Sequence, residues 1–552
     1  MEESQSLLSE PLDPKEMEQT FRQLQGKDEI EAFSQAVQGR YAHEPDNLLL
    51  AAWYERLTYA GEIARQRLIA WQWAVPLAVL NALLFWLLSD ERFVFKSPAD
   101  GYSYLPWLLV YWMPITATFI LIYLSAAGGG RRRRALACIV GLGALVLYVQ
   151  AAYQQMLPRA AVEQYLGLAA IHLPMLAWAA IGLYVLAGRN DTENRFALLV
   201  KVLEAVVLAG MFVLVGGIFV AITTGLFSAL AVQLPDWVMR LLIAGGGGLI
   251  PLLAAAIVYD PARSPAKQSF ADGFSKTIAL LLRLMLPLSL VVLLVYLAFI
   301  PFNYREPLTN RDVLIIYNAM LFAVMALLLG STPVRRVDLP GPRQRWLRRG
   351  VMAVAALAAV VGLYALFAIA YRTWHGVLTP NRLAFMGWNV INIGLLGYLL
   401  AGQWRARGDE WLTALKRTFA NGAIIYALWA LFVVLATPWL FGRFPDPSFA
   451  GLPPSVQRAV YGGDYPILLK CDSPHIYVLE QGQKRWIKDI ATFEQEGYKW
   501  EDVRFVRCSD LRRIPDGPPI PPDAGPPPVP VSPYGPAPTA IVPGPPTPTP
   551  EP

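Results

Sequence analysis

The chain has 552 residues, of which 55% are apolar and only 16% charged, and its mean hydropathy is +0.39. That balance is too apolar for a soluble globular protein of this length and places the chain in the integral membrane class. Its formal charge of +6 sits in short basic clusters between apolar runs, which reads as topology signalling and argues against a nucleic-acid-binding face.

Residues 1–69 carry thirteen Asp/Glu against seven Lys/Arg and read as a solvated, amphipathic helical segment on the cytosolic side. The first residues lack a basic stretch followed by a short apolar core. No cleavable signal is therefore expected, and the first spanning helix directs insertion. Asp13 before Pro14 marks a helix start. Asp46 precedes LLLAAWYERL, where Leu49, Trp53 and Leu57 recur at helical spacing.

From residue 70 onward, eleven apolar runs lie near the roughly 20 residues needed to cross hydrocarbon. They cover 70–88, 105–126, 135–155, 166–187, 198–225, 240–258, 280–300, 312–330, 350–371, 384–404 and 419–441. Pro76, Pro114, Pro174, Pro251, Pro287 and Pro438 interrupt several of them, a kink that neighbouring helices in a bundle can accommodate. Gly245 to Gly248 permit a close helix approach or a local break.

Lys and Arg in short loops favour the cytoplasmic side. With the acidic head inside, the five inner loops hold twenty Lys/Arg, from Arg131–Arg134 to Arg417, and the five outer loops hold eight. Eleven crossings then leave the stretch YRTWHGVLTPNRL (371–383) and everything after residue 441 outside. Residues 442–464 read as a Pro/Gly-rich linker and 465–514 as a small polar module. Within the module HIYVLEQGQKRWI is a hairpin turning at Gly482, and Asp489 to Glu496 is a short helix stopped by Gly497. From Pro515 to Pro552, 18 of 38 residues are proline, the composition of a disordered, extended tail.

Signatures of catalysis are sparse. GGGRRRR lacks the spacing of a phosphate-binding loop, and His43, His172, His375 and His475 fall in four separate segments, so no metal and no cofactor is expected. Glu204, three residues after Lys201, and Arg283 lie near inner span ends, close enough to the interface to snorkel. Neutral polar residues carry more information. Asn81, His172, Asn318, Asn389 and Asn392 map to the outer halves of their helices, and Asn389 and Asn392 share one helical face. With Arg372, His375 and Arg382 they form a candidate ligand-binding set for a polar or anionic envelope molecule, such as a lipid headgroup or a glycan carrier. The competing reading makes the amides interhelical hydrogen-bond glue, Trp374 an interfacial anchor and the arginines partners of lipid phosphates.

The segments SKTIALLLRLMLPLSLVVLLVYLAFIPFN, RDVLIIYNAMLFAVMALLL and YRTWHGVLTPNRLAFMGWNVIN resemble a bacterial multi-pass membrane family, that of domain of unknown function 4153. The resemblance covers about 270–405 and is weaker before that. Arg372, Gly376, Thr379 and Arg382 match its Gly-x-Thr-x-x-Arg turn, which Val377 and Leu378 lengthen by one residue. It implies an inner-membrane protein with no established activity. Residues 465–520, through IYVLEQGQKRWI and TFEQEGYKWEDV, resemble a module appended to bacterial surface and secreted proteins, which implies an extracytoplasmic position. Cys471 and Cys508 flank that module, and a disulfide between them is the expectation.

The expected fold is an all-α polytopic membrane bundle of about eleven helices, with a small α+β C-terminal extracytoplasmic module and a Pro-rich tail. The expected function is envelope-associated binding or sensing at an outward polar site, ahead of a transporter or lipid-carrier translocase and, third, a membrane-embedded transferase.

Overall fold

The computed structural model describes residues 13–526 except 24–26, 45, 66–68, 97–102, 158, 271–272, 305–307, 309–310, 336–340, 375–377, 409, 443–450 and 463–465. At the N-terminal end, α1 (Pro14–Gln23), α2 (Lys27–His43) and α3 (Leu48–Arg65) share a core of Met17, Phe33, Val37, Trp53 and Leu57. Phe21, Phe33 and Trp53 form an aromatic triangle with centroids 5.5 to 5.7 Å apart, and Arg56 lies 4.4 Å over Trp53 while pairing with Glu18. The lead-in thus has a small core of its own. Its third helix is capped by Asn47, not Asp46: the Asn47 carbonyl accepts the amides of Leu49 and Leu50 at 3.1 and 3.4 Å.

Apolar runs become helices in this chain because a backbone deprived of water must satisfy its own polar groups within the segment. Ten helices among the described residues are long and apolar enough to cross a membrane. They are α4 (Trp71–Leu88), α5 (Trp107–Ala127), α6 (Arg132–Ala151, prolonged by a π turn to Met156), α7 (Arg159–Leu186), α8 (Thr192–Ala229), α9 (Asp236–Val258), α10 (Gly273–Phe299), α12 (Gly341–Trp374), α13 (Pro380–Arg405) and α14 (Glu410–Leu440). Between α10 and α12 lies α11 (Arg311–Ser331), whose apolar part, Ile315–Ser331, is shorter. Helices overrun the apolar runs because their polar ends continue past the hydrocarbon; α12, for instance, starts at Gly341, ahead of Arg343, Arg345, Arg348 and Arg349. A short hairpin, β1 (Val94–Lys96) with β2 (Ser103–Pro106), follows α4 and has no counterpart in the sequence reading.

The helices pack in two halves. One core gathers α4, α5, α7 and α9 around Leu121, Ala177 and Leu252; the other gathers α10 to α14 around Leu321, Val354, Leu396 and Leu415. Helix α7 touches both, lying against α5 and α6 on one side and α13 and α14 on the other. Small residues let backbones approach closely. A Cβ on Gly248 of α9 would stand 2.8 Å from the Ala82 Cα of α4, and the π turn Leu241–Gly245 just precedes it, so the glycine run provides both the close approach and the local break.

Contacts between loops sort into two ends. Arg134 reaches the Ala187 carbonyl, Lys416 pairs with Glu193 at 2.6 Å, Arg195 meets Asn421, and Arg348 donates to the Gln403 and Ala406 carbonyls. At the opposite end Arg240 pairs with Asp90 at 2.8 Å, the Asn381 amide faces Gln164, and Gly442 abuts the Met156 carbonyl. The Arg92 side chain, first, and then its amide and Arg240 hold the Asp90 carboxyl well below the ordinary carboxylate range. At the basic end Lys201 and Glu204 do not snorkel. They form a buried pair at 2.8 Å, and Lys201 also donates to the Ser269 carbonyl and lies 4.6 Å over the Phe270 ring. A buried ammonium with one carboxylate, one carbonyl and an aromatic face has replaced the water it left.

The C-terminal part contains a sheet of order β5-β4-β3-β6, in which β3 (Ile467–Lys470), β4 (Ile476–Glu480) and β5 (Gln483–Ile487) are antiparallel and β6 (Val503–Phe505) runs parallel to β3. The hairpin turns at Gln481 and Gly482, with φ of 48° and 78°, the doubly positive pattern of a two-residue turn that matches strand twist. A short helix, Ile490–Gln495, is capped by Asp489, whose carboxylate the Thr492 amide and hydroxyl hold below its ordinary range; the chain then leaves it through Gly497 at φ 74°. Two boundaries differ from the sequence reading. The linker contains α15 (Pro454–Gly462), whose Val456 and Val460 join the module core, because its apolar spacing supplies the face the small sheet lacks. The module also continues past residue 514. The Lys484 amide donates to the Pro515 carbonyl, Gly517 donates to Lys484, and Ile520 donates to Trp486 and is buried, so 515–526 line the β5 edge. Proline is tolerated there because an edge needs only alternate amides. The remainder of the expected disordered tail, 527–552, lies outside the described residues.

Cys471 and Cys508 form a disulfide, with Cα atoms 5.1 Å apart, across a sequence separation of 37. Closing that loop is expected to stabilise the module by about 4 kcal/mol on the chain-entropy account. Replacing both cysteines by Ser should lower its stability in denaturant by that order, and alkylation without reductant should modify only Cys138. Two further alkylated thiols would show the bond absent.

Candidate functional site

Helix α13 brings most of the candidate residues together. It starts where it does because Thr379 caps it, accepting the Arg382 amide at 3.3 Å, with Pro380 at its first position. Two turns on, Trp388, Asn389 and Asn392 lie fully inside the bundle. The Trp388 indole N–H donates to His172 Nε2 at 2.9 Å, and His172 Nδ1 lies 2.7 Å from the Leu168 carbonyl. That pattern requires the proton on Nδ1 and the lone pair on Nε2. Both ring nitrogens are thereby used, which leaves His172 neither a base nor a metal ligand.

Asn389 donates from Nδ2 to Asn318 Oδ1 and to the Phe385 carbonyl, each at 2.9 Å. Asn392 accepts the Tyr426 hydroxyl through its Oδ1. Around these amides Phe322, Trp388 and Tyr426 form an aromatic ring of edge contacts, with centroids 5.0 to 5.9 Å apart. Asn389 Oδ1 and Asn392 Nδ2, an acceptor and a donor one helical turn apart, have no hydrogen-bond partner among the described residues.

The candidate set is therefore only partly one site. His172, Asn318, Asn389 and Asn392 belong to a single polar layer joining α7, α11, α13 and α14. It is closed: each side chain is 3% exposed or less, instead of lining an open cavity, because amides at this depth pair with each other in place of water. Asn81 is elsewhere, donating to the Gly248 carbonyl at 2.6 Å and to Thr116 at 3.2 Å where α4, α5 and α9 meet. Arg372 and Arg382 sit together at the α12–α13 turn, where Arg382 donates to the Arg372 carbonyl at 3.2 Å. His375 lies outside the described residues.

Three participants escaped the sequence reading. Trp388 and Tyr426 read as apolar filling until their partners are known, and Asp502 belongs to the C-terminal module. Asp502 stands close enough to feel the Arg372 charge, yet its carboxyl is raised above the ordinary value, first by burial and then by Glu501, with Arg504, Lys499 and Arg372 opposing. The loop 372–383 itself holds no acid. No group of three or more His, Cys, Asp or Glu that could hold a metal occurs among the described residues. The arrangement offers hydrogen-bond donors, guanidinium groups and aromatic walls, which suit binding of an anionic or hydroxyl-bearing group.

Comparison of the chain with family models, curated proteins and solved structures finds no match.

A double-mutant cycle on Asn318→Ala and Asn389→Ala should give a coupling of about 0.6 kcal/mol, and no more than about 1.7, as for other hydrogen bonds between helices in membranes. Reversible unfolding in detergent would read it. Strict additivity would mean that the amide pair does not link α11 to α13.

Proposed function

We propose that the chain is a bacterial inner-membrane protein that binds or senses a phosphate-bearing envelope lipid or glycan carrier at its outer face. In this reading the N-terminal helices are cytoplasmic, the chain crosses the membrane eleven times with α11 included, and the C-terminal module is extracytoplasmic. The excess of basic residues in the loops at one end supports the sidedness. The resemblance of 270–405 to the family of domain of unknown function 4153 supports the setting. The observation that carries the functional reading is the placing of Arg372 and Arg382 together at a turn between two long apolar helices, where Arg382 donates to the Arg372 carbonyl at 3.2 Å. A guanidinium pair at the membrane surface recognises phosphate by bidentate hydrogen bonds.

A second reading, a transporter or lipid-carrier translocase, is favoured by the two unpartnered amide atoms on α13, buried inside the bundle.

Reporter fusions at the two termini should report opposite sides of the membrane; the same side for both would overturn the topology. Binding of a polyprenyl monophosphate by the protein in nanodiscs should weaken about tenfold in the Arg372→Ala, Arg382→Ala double variant, which corresponds to about 1.4 kcal/mol. Unchanged binding, with full complementation of a deletion strain by that variant, would sink the functional reading.

A further inference from the structure

The opposite end of the bundle carries a feature that the outer-face reading does not use. Two tight turns meet there. Gly129 and Gly130, at φ 80° and 102°, lead α5 into α6, and Gly188, at φ 81°, leads α7 toward α8. Each is in the left-handed region that favours glycine, so the two turns are narrow and come close. Gly128 has no room for a side chain, since a Cβ there would meet the Leu124 and Pro261 carbonyls at 2.6 and 2.8 Å. Arg134 ties the turns together by donating to the Ala187 carbonyl at 3.3 Å.

Between them is a concavity of about 740 Å³ lined by Gly130, Arg131, Arg132, Arg133, Arg134, Ala187, Gly188 and Arg189. Five of its eight lining residues are therefore arginines. Among the described residues none of the five has an ion pair with a carboxylate, although the protein pairs many of its other cations. The nearest acids are already engaged. Asp260 binds Arg263 at 3.3 Å and the Ala262 amide, and Asp191 caps α8 through Asn194. Helix α6 also begins here without a side-chain cap, so the amides of its first turn add positive potential in the same direction.

Positive-inside topology needs basic residues in a loop; it does not need them to converge from two loops onto one concavity. Uncompensated like charges repel, and an arrangement that holds them together is completed by an anion. Guanidinium forks match phosphate oxygens bidentately. We infer that the pocket between the α5–α6 and α7–α8 turns is a phosphate-binding site, filled by the headgroup phosphate of an anionic lipid or by a soluble polyphosphate anion. Basic pockets between membrane helices at the cytoplasmic side are a recognised place for anionic headgroups. The inference does not rest on the outer-face reading, and Arg372 and Arg382 play no part in it.

The test uses the full chain, delipidated in detergent for one arm and in nanodiscs for the other. Inorganic pyrophosphate is titrated in the first arm. In the second, nanodiscs of phosphatidylcholine are compared with nanodiscs containing phosphatidylglycerol or cardiolipin, and lipids retained on the protein are counted by native mass spectrometry. The variant is Arg131→Gln, Arg133→Gln, Arg189→Gln, which leaves Arg134 to hold the turns. The control is Arg343→Gln, Arg345→Gln, Arg349→Gln, which removes equal charge from the first turns of α12 at the same end. Tenfold or greater weakening by the pocket variant, with less than twofold by the control, is the expected result. If it appears only in the pyrophosphate arm the ligand is soluble, and if only in the lipid arm it is a headgroup; either supports the site. The corresponding Arg→Lys triple, which keeps fold and charge, should fall between, because it loses the bidentate fork. No binding in either arm, or equal weakening by pocket and control variants, overturns the inference.

Discussion

The hydrogen bond from Trp388 to His172 is a buried polar link between the two halves of the bundle. In lipid, apolar packing alone gives helices little preference for each other over acyl chains, so association depends on close backbone approach and on polar links that have no other partner. Helix α7 sits between the halves, and its single histidine is engaged on both nitrogens, one by its own backbone and one by α13. Asn318, Asn389, Asn392 and Tyr426 continue the link to α11 and α14. The polar layer therefore acts first as the joint of the bundle, and any recognition at the α12–α13 turn is built on a helix whose rotation it fixes.

Much of this architecture is legible in the sequence, because the signals involved are local. Run length gives the apolar helices, the Gly482 turn gives the hairpin, and Asp489 with Gly497 brackets the short helix in the module. What escaped depends on contacts distant in sequence. Nothing in PSVQRAVYG shows that its valines complete a sheet core, and nothing in a proline-rich stretch shows that Ile520 docks beside Trp486. The same holds for Lys201 and Glu204: span-end position predicts snorkelling, whereas the loop carrying Ser269 and Phe270 folds over them. For the candidate site, the apolar helix that carries each amide was readable. Helix rotation was not, and rotation decides whether an amide faces a cavity, as expected, or another amide, as found.

The two ends of the bundle differ in how they treat arginine. At the α12–α13 turn, the Arg382 guanidinium donates to the Arg372 carbonyl. At the other end, Arg131, Arg132, Arg133 and Arg189 converge without a carboxylate partner among the described residues.

Helix α8 has a consequence for the membrane itself. From Ala205 to Ala229 only Ala205 is buried, and Val213, Leu214 and Val215, three successive residues that point in different directions, are all exposed. At the rise of an α-helix this stretch is about 37 Å long, against about 30 Å of hydrocarbon. Exposed in this way, it can match that thickness only by leaning about 35° or by stretching the lipids beside it. Its lean should follow bilayer thickness, steepening in thinner membranes, while the rest of the bundle stays fixed. One flank of the protein thus acts as a gauge of the membrane around it.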